Sequence, residues 1–109
     1  MAVIDVRDAE SVSRDMVGPV IRSGPLAEAI IDAVADDNPG SDVIVVDRGD
    51  YLRIHTARSC RLTRASLERH LGQAMPLAAL EIDMPSFTGR LRTRVDEYVW
   101  FYDKELDGQ

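Results

Sequence analysis

"SGPLAEAIIDAVADDNPG", residues 23–40, holds both ends of a helix and its buried face in one run. Pro25 follows Ser23 and Gly24 and suits the first helical position, where its missing N–H costs nothing. Leu26, Ala29, Ile30, Ala33 and Val34 recur at helical spacing and form one apolar stripe. Asn38-Pro39-Gly40 then stops the helix.

Working outward, the flanking runs read as strands. Upstream, "MVGPVIR" (16–22) is a short apolar strand, and Pro19 within it predicts an edge position. Downstream, "DVIVVD" (42–47) reads as a buried strand, "RGD" (48–50) as a turn built on Gly49, and "YLRIHTA" (51–57) as the returning strand. In that return, Leu52, Ile54 and Thr56 share one face, and Tyr51, Arg53 and His55 the other.

A second helix is predicted over "TRASLERHLG" (63–72). Thr63 is its N-cap, Leu62 and Leu67 are placed to form a hydrophobic staple, and Gly72 stops it. "PLAAL" (76–80) suggests a short turn, and "SFTGRLRT" (86–93) with "EYVWFYD" (97–103) a closing hairpin. A three-residue turn at Val95–Glu97 would pair Arg90, Arg92 and Arg94 with Tyr98, Trp100 and Tyr102. A two-residue turn would instead set Trp100 opposite Leu91, and the sequence leaves both registers open.

The order strand, helix, strand, strand, then helix, strand, strand implies an α+β domain of two βαββ-like halves with two main helices. Residues 16–104 form that single domain, residues 1–15 read as a mobile polar N-terminal tail, and residues 105–109 as a C-terminal tail. A chain of 109 residues can bury a sufficient core without staples. No long apolar run predicts a membrane span, and the acidic start does not read as a secretory signal. A lone cysteine, Cys60, excludes an internal disulfide and fits a reducing, cytoplasmic setting.

Charge is unevenly spread within a net −6. Residues 1–50 set four arginines against eleven acids, and residues 51–94 set eight arginines against three. Such asymmetry suits oriented docking on a charged partner. Nucleic acid is not expected, because the chain is acidic overall and its basic block matches no nucleic-acid motif.

Catalytic parts are scarce. His55, His70 and Cys60 are the only imidazoles and thiol, and Glu68 and His70 stand two apart, on different sides of a helix. No zinc, iron–sulfur or Glu-x-x-His spacing occurs, and no glycine-rich phosphate loop, so neither metal nor cofactor is expected. Cys60 lies near Arg58 and Arg61, which could activate a thiol, but a small residue filling core space is the preferred reading. Glu81 and Asp83 would share a face if their segment were a strand, and solvated acids explain that pair without acid–base chemistry. A binding or regulatory role is favoured over an enzyme. A small-ligand sensor or adaptor domain and a thiol enzyme using Cys60 are the alternatives.

"VGPVIRSG", "DNPG", "VVDRGDYLRI", "LTRASLERHLG", "LEIDMPSFTGRL" and "YVWFYD" occur in that order. Together they resemble the small coupling, or effector, proteins of bacterial multicomponent di-iron monooxygenases, most of all the toluene and alkene branch. The resemblance covers residues 16–103. It implies an α+β domain of antiparallel strands and helices that carries no prosthetic group. It further implies a di-iron hydroxylase as partner, with electrons from a reductase, often through a Rieske ferredoxin. The regulator would tune the hydroxylase's conformation so that oxygen activation and electron use are coupled to hydrocarbon hydroxylation or epoxidation. Exposed groups in the matching motifs are then candidate contacts: Asp37, Asn38, Arg48, Asp50, Tyr51 and Ser86.

Overall fold

Pro25 does open the first helix, α1 (Pro25–Asp37), and Asn38 ends it with its N–H on the Val34 carbonyl. Of the expected stripe, Ala29, Ile30, Ala33 and Val34 are buried, and so are Ala27 and Ile31. The buried face is wider than one stripe because α1 packs on β3 and β5 and on a second helix.

The computed structural model describes residues 3–6 and 14–103. Its strands are β1 (Val3–Val6), β2 (Met16–Arg22), β3 (Val43–Asp47), β4 (Tyr51–Ala57), β5 (Ser59–Thr63), β6 (Ser86–Thr88), β7 (Arg90–Thr93) and β8 (Glu97–Phe101). The second helix, α2, spans Arg64–Leu71, and a 3-10 helix spans Leu77–Asp83. One sheet runs β1-β3-β4-β2-β6 and the other β5-β8-β7.

The two halves share a topology. In β2-α1-β3-β4 the last strand lies between the other two, giving the order β3-β4-β2. In β5-α2-β7-β8 the same rule gives β7-β8-β5. These pairings are antiparallel, and β1 joins the first sheet by pairing parallel with β3. The α+β reading with βαββ-like halves therefore holds.

Several details differ from the sequence reading. Four residues of the expected tail, Val3–Val6, form β1, whereas residues 1, 2 and 7–13 and the C-terminal residues 104–109 lie outside the described residues. β2 is not an edge strand: β4 flanks it on one side and β6 on the other. Its pairing with β4 lapses at Gly18 and Pro19 and resumes at Val20, so a local gap accommodates the proline's missing N–H. β5 was not anticipated. It follows β4 after Arg58 alone, whose φ of 69° turns the chain from one sheet into the other.

"SFTGRLRT" is not one strand but two. Gly89, at φ 94°, separates β6 in the first sheet from β7 in the second. A Cβ there would stand 2.6 Å from Val17 Cγ1 and 2.7 Å from the Phe101 carbonyl oxygen, so only glycine fits the crossing. The β7–β8 register pairs Leu91 with Trp100, which selects the two-residue turn. Tyr98 and Trp100 are buried, their rings edge-to-face with centroids 6.1 Å apart. The core joins the inner faces of both sheets to α1 and α2 through Val17, Ile21, Ile30, Ile54, Leu67 and Trp100.

Candidate partner-binding surface

The turn after β3 positions three of the candidate residues. Gly49 donates its N–H to the Asp47 carboxylate at 2.7 Å, and Arg48 donates its N–H to the Tyr51 carbonyl at 2.8 Å. The start of α1 braces this turn: Ser23 donates its N–H to the Asp50 carbonyl at 2.9 Å and its hydroxyl to the Gly49 carbonyl at 2.6 Å. Residues 48–51 are fastened through their own backbone groups, with the Asp47 and Ser23 side chains as partners, so the side chains of Arg48, Asp50 and Tyr51 stay exposed. Neither Arg48 nor Asp50 makes an ion pair among the described residues.

Ser86 belongs to the same sheet. Val20 pairs with Arg53 on one side and Ser86 on the other, and Arg22 pairs with Tyr51. Opposite residues in a ladder share a face, so Tyr51, Arg53, Arg22, Val20 and Ser86 lie together on the face turned away from α1. Arg53 also reaches Thr88 Oγ1 at 3.5 Å, linking β4 to β6 across β2. Tyr51 and Ser86 thus lie on one sheet, with Arg48 and Asp50 in the turn that joins two of its strands.

Asp37 and Asn38 are not among them. They end α1, whose 13 residues span about 20 Å from the Ser23 brace. Asp37 accepts the N–H of Thr63 at 2.7 Å and the Ser66 hydroxyl at 2.7 Å, while Thr63 caps α2 through the Ser66 N–H. Asn38 Nδ2 donates to the Arg61 carbonyl at 2.8 Å, and its Oδ1 accepts the Arg61 N–H at 2.9 Å. Both side chains fasten the end of α1 to β5 and α2.

Among the described residues the titratable groups do not assemble into a reactive centre. His55 is 1% exposed, and neither ring nitrogen has a hydrogen-bond partner among the described residues. Burial first, and then the charge of Arg53, push it down to about 4 against an opposing effect of the Gly18 backbone, so the ring is neutral near pH 7. Burial pushes the Cys60 thiol up to about 12, which removes the thiolate a thiol enzyme would need. His70 instead sits on α2, on the Asp36 carboxylate at 2.5 Å; that bond first, and then the one from Arg69, lower Asp36 below its usual range. Glu81 lies in the 3-10 helix and not in a strand, and it accepts the Tyr98 hydroxyl at 2.6 Å. Burial, followed by this carboxylate, raises Tyr98 to about 12. Among the described residues no three His, Cys, Asp or Glu side chains converge as metal ligands, and no helix is long and apolar enough to cross a membrane.

A two-sheet α+β domain with an exposed, braced turn and an inert thiol and imidazole has the character of a regulatory binding protein. Over residues 15–101 the sequence matches the MmoB/DmpM family, and the chain belongs to that family. It is 55% identical over 93 residues to the effector subunit of an alkene monooxygenase system from Xanthobacter autotrophicus, covering 85% of this chain and 92% of that one. Among solved structures, one of a phenol hydroxylase–regulatory protein complex has a chain that superposes with a TM-score of 0.68 at 19% identity, covering 81% of this chain and 99% of that one. The soluble methane monooxygenase regulatory protein B superposes with a TM-score of 0.60 at 18% identity, covering 84% of this chain and 67% of that one. At such identities these structures establish the shared fold.

Proposed function

We infer that this chain is the non-catalytic effector component of a multicomponent monooxygenase. It binds the di-iron hydroxylase component and tunes that partner's conformation, so that oxygen activation and electron use are coupled to hydrocarbon oxidation. The observation that carries this reading is the 55% identity to an alkene monooxygenase effector across nearly its whole length. An alkene is accordingly the favoured substrate class of the partner. A reductase and a Rieske ferredoxin complete the system in this reading, and the cytoplasm is its setting.

Physically, an effector without a reactive group acts only by binding one conformation of its partner better than another. A hundredfold shift in population requires about 3 kcal/mol of differential binding. An interface of about 800 Å² on each partner is large enough to supply it. The face that carries Tyr51, Arg53 and Ser86, together with the Arg48–Asp50 turn, is the favoured contact. It is exposed at its rim, fixed by backbone hydrogen bonds, and free of ion pairing at Arg48 and Asp50 among the described residues. Once docked, the domain favours the hydroxylase arrangement that limits water and proton access during oxygen activation.

The direct test reconstitutes purified hydroxylase, reductase and ferredoxin with and without this protein, and measures product formed per NADH consumed. Stoichiometric effector should raise both rate and coupling. An unchanged ratio, at concentrations where binding is saturated, would reject the reading.

A further inference from the structure

A second feature lies on the other sheet, at the joint between α2, the 3-10 helix and the β7–β8 turn. It is an open groove of about 370 Å³. Its polar wall is cationic: Arg64 and Arg94 line it, and no acidic side chain among the described residues does. Glu68 holds Arg64 at 2.7 Å. Arg94 is poorly matched, because Glu97 reaches it only at 3.9 Å while meeting Arg61 at 2.7 Å. Arg92, just before it on β7, is exposed and makes no ion pair among the described residues.

Thr93 and Tyr98 add hydroxyl-bearing side chains to the lining, the Tyr98 hydroxyl already held by Glu81, and the rest is apolar. Pro76 and Ala78 are exposed, and Val95 is 83% exposed at the tip of a two-residue turn. Solvated turn tips favour glycine, asparagine and aspartate, which satisfy turn geometry or hydrogen-bond locally. A branched hydrocarbon there gains nothing from its own chain. Alongside, β7 is the outer strand of its sheet, so its far edge is unpaired among the described residues.

We propose that this groove docks an extended segment of the hydroxylase, one that seats a carboxylate beside Arg94 and Arg64 and an apolar side chain on Val95, Ala78 and Pro76. The proposal rests on the effector reading above and adds a second contact, on the sheet opposite to Tyr51 and Ser86. Arg64 already has Glu68, but Arg94 meets its nearest acid among the described residues only at 3.9 Å, and that unmatched charge calls for an anionic occupant. The adjacent strand edge and Arg92 favour a polypeptide over a free small acid, because only a chain can engage them together with the groove.

Two variants at exposed positions test it: Ala78→Trp fills the groove, and Arg94→Glu reverses its wall. Thermal melts first establish that each folds like the wild type. Titration of purified hydroxylase, followed calorimetrically at several salt concentrations, is then expected to show each variant binding at least tenfold more weakly. Arg94→Glu should also have the shallower salt dependence. If the wild type binds and both variants bind equally well, the groove proposal fails and the effector reading stands. If the wild type does not bind hydroxylase at all, both fail. Amide shifts at Thr93 and Val95 with octanoate, but none with hydroxylase, would give the groove to a small carboxylate and overturn the polypeptide occupant.

Discussion

The Asp37 carboxylate, at the last turn of α1, accepts the backbone N–H of Thr63, the N-cap residue of α2, at 2.7 Å. The same carboxylate takes the Thr63 and Ser66 hydroxyls, so one side chain sets how the two helices meet. Removing it leaves a part-buried N–H and two hydroxyls without their acceptor. Asp37→Ala is therefore expected to cost about 2–4 kcal/mol of stability, given the weight of hydrogen bonds to charged groups. Urea unfolding checks it: a purely partner-contacting Asp37 would leave the midpoint where it was.

His55 makes stability depend on pH. Its folded-state value, about 4, lies below the unfolded value of 6.5, so the folded state disfavours the protonated ring. The stability associated with the neutral ring is present in full above pH 6.5 and is lost as pH falls through 6.5 towards 4. Each tenfold weakening of proton binding is worth roughly 1.4 kcal/mol, so the full loss is about 3 kcal/mol. In His55→Leu this component should disappear, so the difference in stability between pH 7 and pH 4.5 should shrink. Equal pH slopes in the two proteins would show that His55 does not carry it.

Glycines offer a controlled comparison between crowding and backbone conformation. A Cβ on Gly89 would press on Val17 and on the Phe101 carbonyl, whereas one on Gly40 meets nothing within 4 Å. Both have positive φ, 94° and 87°, so alanine strains each by about 1 kcal/mol. Gly89→Ala should cost about 1–3 kcal/mol more than Gly40→Ala, because the crossing between sheets must also shift. Thermal melts of the two variants decide the point, and equal losses would mean the crossing is soft.

What the sequence disclosed was what local chemistry specifies. Pro25, Thr63 and Gly72 mark helix ends through contacts within a few residues, and alternation in "YLRIHTA" marks a strand, although not the burial of His55 on its outer face. β5 escaped because no glycine announces the turn before it; Arg58 takes that conformation, with its N–H on the Asp15 carbonyl and its carbonyl on the Tyr102 N–H. β2 looked like an edge because Pro19 signals a missing donor, not which neighbour leaves the gap. Among candidate contacts, Arg48, Asp50 and Tyr51 read as exposed because a hairpin turn exposes its side chains by construction. Asp37 and Asn38 looked similar, yet their partners lie 26 and 23 residues away, beyond any local pattern.

The exposed turn then allows binding to be perturbed apart from folding. Arg48 and Asp50 contribute backbone groups to the turn while their side chains project into solvent, so Arg48→Glu with Asp50→Lys should change stability by about 0.5 kcal/mol or less. If the hydroxylase docks on this face, reversing both charges places like against like across the contact and slows association. Affinity should fall about tenfold, mainly through the association rate, and the loss should shrink as salt rises. Stopped-flow binding at two ionic strengths measures both effects. Unchanged kinetics with an intact melt would take the turn out of the interface and leave the Arg53–Ser86 face, or the groove beside Arg94, to carry the contact.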